Sequence, residues 1–258
     1  MSVKGLKLRI YITRPKGEGK HAAVLFMPSP LPQPMEFPPQ LSQHPYKLLI
    51  ASLTKAGYVT MRVDRAAVGD SEGDDPLKTD YAMDVESFRN AIKRLGQYEF
   101  VDAGQVYLLS MGLGSALTPT VAEGSPLKGV VTYGCTVVRP WHQCIPEMMR
   151  RMWDLETVES GEIDKRAKSL EGFLKQCSKP GSKPAEVVKD FPELAAIQAG
   201  IFPSADNMLG MPLHYYQDIT RQDLQATWGR VSVPVLSMWG NAPIFRQIDG
   251  TANSSSTP

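Results

Sequence analysis

Val106-Tyr107-Leu108-Leu109-Ser110-Met111-Gly112-Leu113-Gly114-Ser115 begins as four apolar residues and ends with small residues at every second position. A short unbroken apolar run reads as a buried strand, Val106–Leu109. Ser110, Gly112 and Gly114 then suit a tight elbow, where larger side chains would crowd the backbone. A helical pattern starts at about Gly114. Strand, sharp turn and helix in succession form the repeating unit of a parallel sheet.

The same alternation extends to both sides. Upstream, Leu8, Ile10 and Ile12 alternate as in a half-buried strand, and Ala22-Ala23-Val24-Leu25-Phe26-Met27 is a continuous apolar run. Tyr46, Leu49, Ile50 and Leu53 lie at helical spacing, with Gly57 as a stop. Tyr58-Val59-Thr60-Met61-Arg62-Val63 is strand-like. A second helix puts Tyr81, Val85, Phe88, Ile92 and Leu95 on one face, with Asp80 as its cap. Downstream comes the strand Gly129–Tyr133. The expectation is an α/β fold, a doubly wound and mostly parallel sheet with helices on both faces.

After Arg139-Pro140 the pattern turns helical as far as Trp228. Ile145, Met148, Met149 and Met152 mark one face, and Ile163, Ala167, Leu170 and Leu174 another. Ser178 to Pro184 is a loop by its Gly and Pro content. The sheet resumes at Val233-Pro234-Val235-Leu236-Ser237-Met238-Trp239. These breaks divide the chain into a core, residues 1–138 and 229–248, and an inserted helical block, residues 139–228. The polar residues 249–258 form a tail with too few apolar groups to order it.

Composition narrows the function classes. Of 258 residues, 42% are apolar and 21% charged, with a net charge of +1. That balance gives no electrostatic footprint for nucleic acid. No apolar run is long enough to span a membrane. Three cysteines, Cys135, Cys144 and Cys177, make no disulfide framework, so a cytoplasmic setting is expected. No HExxH, paired CxxC or P-loop occurs, so neither metal nor cofactor is expected.

Three segments carry a resemblance. Asp64-Arg65-Ala66-Ala67-Val68-Gly69-Asp70-Ser71-Glu72-Gly73 resembles the loop D-x-R-G-x-G-x-S-x-G after a central strand of α/β-hydrolases. Val106–Ser115 is similar to their strand, nucleophile elbow and helix. Val233 to Gly240 is similar to their late strand, which normally precedes an acidic residue. Together with the inserted helices, the resemblance covers most of residues 6–245 and points to lidded esterase-like or peptidase-like hydrolases. It implies that residues 139–228 form a lid over the carboxyl ends of the strands, and that the fold is shortened at its carboxyl-terminal end.

The family elbow is G-x-S-x-G, a strained turn that raises a serine hydroxyl above the sheet. Aligned without gaps, Ser110 takes the first glycine, Gly112 the serine and Gly114 the last glycine, which leaves no nucleophile. A rival register makes Ser110 the nucleophile. It needs a two-residue gap and puts Leu108 where the elbow requires a small residue.

The oxyanion loop reads Pro28-Ser29-Pro30-Leu31-Pro32-Gln33-Pro34, in which only Ser29, Leu31 and Gln33 keep an N–H. Pro243 stands where the resemblance calls for an acid, and Asp249 is out of register. No histidine follows His214, and His21, His44 and His214 read as surface or packing residues. Cys135 follows a strand into the crevice, with His142 seven residues on, which offers a thiol beside an imidazole.

The expectation is therefore a hydrolase fold without serine-hydrolase activity that binds a small apolar or acyl-type ligand. Its binding candidates are Ser29, Met111, Gly112, Leu113, Cys135 and Trp153, with Met148, Met149 and Met152 as further apolar lining. The alternatives are a working hydrolase using Ser110 or Cys135, with His142 as base, and a cyclase-type or isomerase-type catalyst on the same fold. A shortened or frameshifted carboxyl end implies self-association through an uncovered sheet edge.

Overall fold

The computed structural model describes residues 1–36, 44–134, 138–194, 207–208 and 211–238. A two-strand hairpin, β1 (Ser2–Val3) and β2 (Leu6–Lys7), precedes the main sheet. That sheet contains β3 (Ile10–Thr13), β4 (His21–Met27), β5 (Val59–Val63), β6 (Val101–Met111), β7 (Gly129–Tyr133) and β10 (Val235–Met238). Its order is β10-β7-β6-β4-β5-β3, parallel throughout except for β3, which runs antiparallel to β5 on the edge. The doubly wound, mostly parallel sheet expected from the sequence is thus present.

The connecting helices follow the sequence signals. In α1 (Pro45–Lys55), proline opens the first turn and the His44 side chain caps it by accepting from the Tyr46 N–H. Asp80 accepts from the Met83 N–H at 2.6 Å and so caps α2 (Tyr81–Leu95). The strand β6 begins five residues earlier than the apolar run alone indicates, because it pairs with β4 from His21↔Val101 onward. After β6 comes a tight 3-10 stretch, Gly112–Ala116, and then the short helix α3 (Thr118–Ala122).

Between β7 and β10 lie α4 (Trp141–Leu155), α5 (Ser160–Cys177), α6 (Pro184–Val187), the two-residue strands β8 (Asn207–Met208) and β9 (Met211–Pro212), α7 (Leu213–Thr220) and α8 (Leu224–Gly229). The small hairpin β8–β9 interrupts a block that the sequence presents as wholly helical.

Side chains alternate across the sheet. Ala23, Leu25, Met27, Val106, Leu108 and Val130 face α2 and α3, in one core that continues into Ile145, Leu170, Phe173 and Tyr215 of the insert. Val24, Phe26 and Leu109 face the other way, in a smaller cluster against Tyr46, Leu49 and Leu53 of α1. Among the described residues, no helix is long and apolar enough to cross a membrane.

Candidate functional site

β4 and β6 pair in register up to Met27↔Ser110, so the loops that follow them emerge side by side at the carboxyl end of the sheet. That is where open α/β sheets bind ligands. The turn after β6 is left-handed at its apex, with Gly112 at φ +53°. Glycine tolerates this conformation, while other residues are strained there. Two residues on, a Cβ at Gly114 would stand 2.6 Å from the Pro28 carbonyl oxygen and 2.8 Å from that of Met27. This close approach requires a glycine and fixes the ungapped register, with Gly112 at the apex.

Ser110 lies one step inside that apex. It is 0% exposed, and its hydroxyl donates to the Val131 carbonyl at 3.4 Å. Pleating turns its side chain into the layer between β6 and α3, away from the crevice. The rival register therefore lacks the exposed hydroxyl that it requires.

The space above Gly112 is filled from the neighbouring loop. A Cβ at Gly112 would lie 2.6 Å from the Ser29 hydroxyl oxygen. That hydroxyl accepts from the Leu113 N–H at 3.0 Å and donates to the Met111 carbonyl at 3.4 Å. Ser29, Met111, Gly112 and Leu113 thus come together as a single unit. The Leu113 N–H is the donor that follows the nucleophile position, the one that an oxyanion hole employs. Here it is satisfied by Ser29.

Two backbone donors of the proline-rich loop are also occupied. The Leu31 N–H donates to the Ser29 carbonyl at 2.7 Å, and the Gln33 N–H to the Leu31 carbonyl at 2.8 Å. The loop is clamped from β5 as well: Asp64 accepts from the Met35 N–H at 2.6 Å and Arg65 donates to the Pro30 carbonyl at 2.7 Å. Burial raises the Asp64 carboxyl above its ordinary range. In the loop resembling D-x-R-G-x-G-x-S-x-G, Ser71 holds the turn by donating to the Asp64 carbonyl at 2.9 Å, while Asp70 makes an exposed ion pair with Arg9.

Three side chains that sequence reading did not single out form the polar centre beneath this loop. Arg65 makes hydrogen bonds to both oxygens of Asp84, at 2.9 and 3.1 Å through Nε, and its Nη2 lies 2.8 Å from Oδ2. The Tyr215 hydroxyl donates to the same carboxylate at 2.6 Å. All three are buried. Burial alone would push the Arg65 guanidinium down, and the Asp84 charge, the Tyr215 phenol and the hydrogen bond to Asp84 together raise it. Burial, then the Asp84 charge, pushes Tyr215 far above the usual phenol range. Arg65 lay inside a quoted motif, but its partners stand 19 and 150 residues away along the chain and carry no local signal.

Trp153 corrects the expectation of a crevice wall. It is 3% exposed, packed between α4 and α5 with the Arg166 guanidinium over its ring at 5.9 Å. Its spacing on α4 made it the knob of a helix pair. Met148 and Met149 are half-buried on the same core, and Met152 is exposed.

His142 stands in the first turn of α4, half-buried, and its Nδ1 has no hydrogen-bond partner. Burial lowers its pKa, and Lys175 adds to this against the opposing charge of Glu171. Cys135, Pro243 and Asp249 lie outside the described residues, as does the 249–258 tail. Cys144 and Cys177 are buried, and burial pushes the Cys177 thiol up to about 12, so it stays protonated and unreactive. Among the described residues, no three metal-ligating side chains cluster.

On the α1 side of the sheet a groove of about 690 Å³ is lined by Val24, Leu49, Tyr107, Leu109, Val131 and Leu236, and it reaches Met111 just below the elbow. The sequence reading expected an apolar pocket roofed by the insert; this groove lies on the opposite face of the sheet.

Comparison with known proteins matches this architecture. The chain is 24% identical over 243 residues to the esterase EstD of Thermotoga maritima, a match covering 93% of this chain and 50% of that protein. The chain therefore spans about half the length of this curated relative. Among solved structures, it resembles Est1E of Butyrivibrio proteoclasticus, seen with ferulic acid, at TM-score 0.56 and 15% identity over 92% of this chain and 76% of that one. It also resembles the α/β hydrolase GrgF of Penicillium sp. sh18 at TM-score 0.54 and 16% identity, covering 90% and 75%. No family profile matches the chain.

Proposed function

This chain is an α/β-hydrolase-fold protein related in sequence to an esterase, and from that premise we propose that it binds a small apolar or acyl-type ligand without hydrolysing it. The observation that carries this reading is the elbow. Gly112 holds the strained apex with no hydroxyl, and Ser29 fills the space and the oxyanion donor above it. Acyl transfer needs an activated nucleophile and a free donor for the developing oxyanion. Neither is available at this apex. The groove that reaches Met111 gives an apolar ligand a place, on the sheet face opposite the helical insert.

The decisive experiment starts with Gly112→Ser. The new side chain meets Ser29 and adopts positive φ, so a loss of about 1–3 kcal/mol in urea unfolding is expected. Turnover of p-nitrophenyl butyrate should stay at the wild-type background, and a fluorophosphonate probe should label no serine in wild type. A rise in turnover well above both wild type and Gly112→Ala would overturn the reading, because it would reveal a working base. The esterase relative favours a second reading, hydrolysis from a nucleophile elsewhere in the chain. Stoichiometric fluorophosphonate labelling of wild type, mapped to one serine, would establish it.

A further inference from the structure

The Ser29 hydroxyl is held in the elbow by a continuous set of contacts that ends in the helical insert. Pro30, its neighbour, accepts from Arg65. Arg65 is locked on Asp84, and the remaining side of that carboxylate takes the hydroxyl of Tyr215 on α7. Tyr215 is pinned in turn, since the Arg65 guanidinium lies over its ring at 5.5 Å and the Tyr81 ring meets it edge-on at 6.2 Å. Met211, on β9 just before α7, places its sulfur 3.9 Å from Arg65. A buried guanidinium with a buried carboxylate is costly to separate, so it transmits position rather than yielding.

We propose that Tyr215, Asp84, Arg65 and the Pro30 carbonyl form a latch through which the helical insert keeps the Ser29 hydroxyl on the Leu113 N–H. Arg65 is the positioning residue and Ser29 the plug. While α7 is seated, the Leu113 donor is closed to any carbonyl or carboxylate oxygen. When α7 shifts, Asp84 loses the Tyr215 hydroxyl, the grip on Pro30 loosens and the donor opens. The latch rests on the assignment of Gly112 to the elbow apex, but not on the absence of hydrolysis. A measurement without substrate therefore separates its failure from failure of the functional reading.

Hydrogen exchange at the Leu113 amide reads the latch directly, with the amides of α2 as the internal standard. Ser29→Ala should speed exchange at Leu113 at least tenfold, with Ile92 and Ala91 unchanged. Tyr215→Phe keeps the ring and removes only the hydroxyl, and it should speed Leu113 exchange about fivefold, the share of a single hydrogen bond. An unchanged Leu113 rate in Ser29→Ala would refute the plug. An unchanged rate in a folded Tyr215→Phe protein would refute the latch.

Wild type supplies a test that needs no variant. In low urea, the amides of Leu113 and of α7 should open in one cooperative unit with the same urea dependence. Distinct urea dependences would overturn the coupling.

Discussion

Leu108 and Leu109 are neighbours on β6 that point to opposite faces of the sheet. Leu108 is 0% exposed, in a core shared by α2, α3 and the insert. Leu109 is 9% exposed and lines a groove where α1 supplies the packing partners. Further along the same face, Leu236 is 55% and Met238 43% exposed. The two faces are built from the same residue types, and what separates them is the cover. The closed face carries the buried Arg65–Asp84–Tyr215 centre, a charge pair closed on itself, while the open face buries Arg62 at its β3 edge, over the Tyr11 ring and paired with the exposed Glu36. The two charges differ in their partners: Arg65 meets a buried carboxylate, where a low dielectric makes a satisfied pair gain most and a broken one lose most, while the counter-charge of Arg62 stands in solvent.

The largest effect expected from breaking this contrast is on the closed face. Asp84→Ala leaves the Arg65 guanidinium buried without its counter-charge, which should cost about 3–5 kcal/mol. Urea unfolding of the full chain measures it. A loss below about 1 kcal/mol would mean that water reaches Arg65, and that the two faces differ less than their burial indicates.

The next comparison lies within a single strand. Leu108→Ala removes a side chain from a filled core and should cost about 3–4 kcal/mol, including the cavity left behind. Leu109→Ala opens onto an existing groove, so little new cavity forms, and about 1–2 kcal/mol is expected. Equal losses at the two positions, by the same unfolding measurement, would show that the open face is covered in solution.

Much of this architecture was legible in the sequence. The apolar runs at 22–27, 106–109 and 129–133 gave the strands, and Asp80 and Gly57 gave helix boundaries, because these signals are local. The elbow at Gly112 was also legible, since a left-handed apex and a close approach both demand glycine at fixed spacing.

What filled the elbow was not. Ser29 stood among the candidates, but its hydroxyl reaches Gly112 only because β4 and β6 pair in register, a relation that spans 83 residues. Trp153 misled for the converse reason. Helical spacing shows that a side chain lies on an apolar face, not whether that face meets a crevice or another helix. The difference between the two sheet faces was equally hidden, because a run such as Val106–Leu109 is apolar on both sides whichever one is covered.

The smallest effect on stability, and the sharpest test of the open face, belongs to Leu236→Lys. β10 stands at one end of the described sheet, paired with β7, and Leu236 projects from it into the groove. An exposed apolar surface of this kind favours association with another copy. A lysine there adds charge repulsion between copies and removes apolar area from the contact. Because the side chain is more than half exposed, the unfolding free energy should stay within about 0.5 kcal/mol of wild type. Sedimentation velocity over a concentration series reads the association itself. Wild type should sediment faster as concentration rises, and Leu236→Lys should hold the monomer value over the same range. If wild type stays monomeric throughout, the groove is closed or occupied in solution, and the contrast between the faces holds for the described residues only. If both proteins associate alike, the contact uses another surface, and Leu236 serves ligand binding rather than self-association.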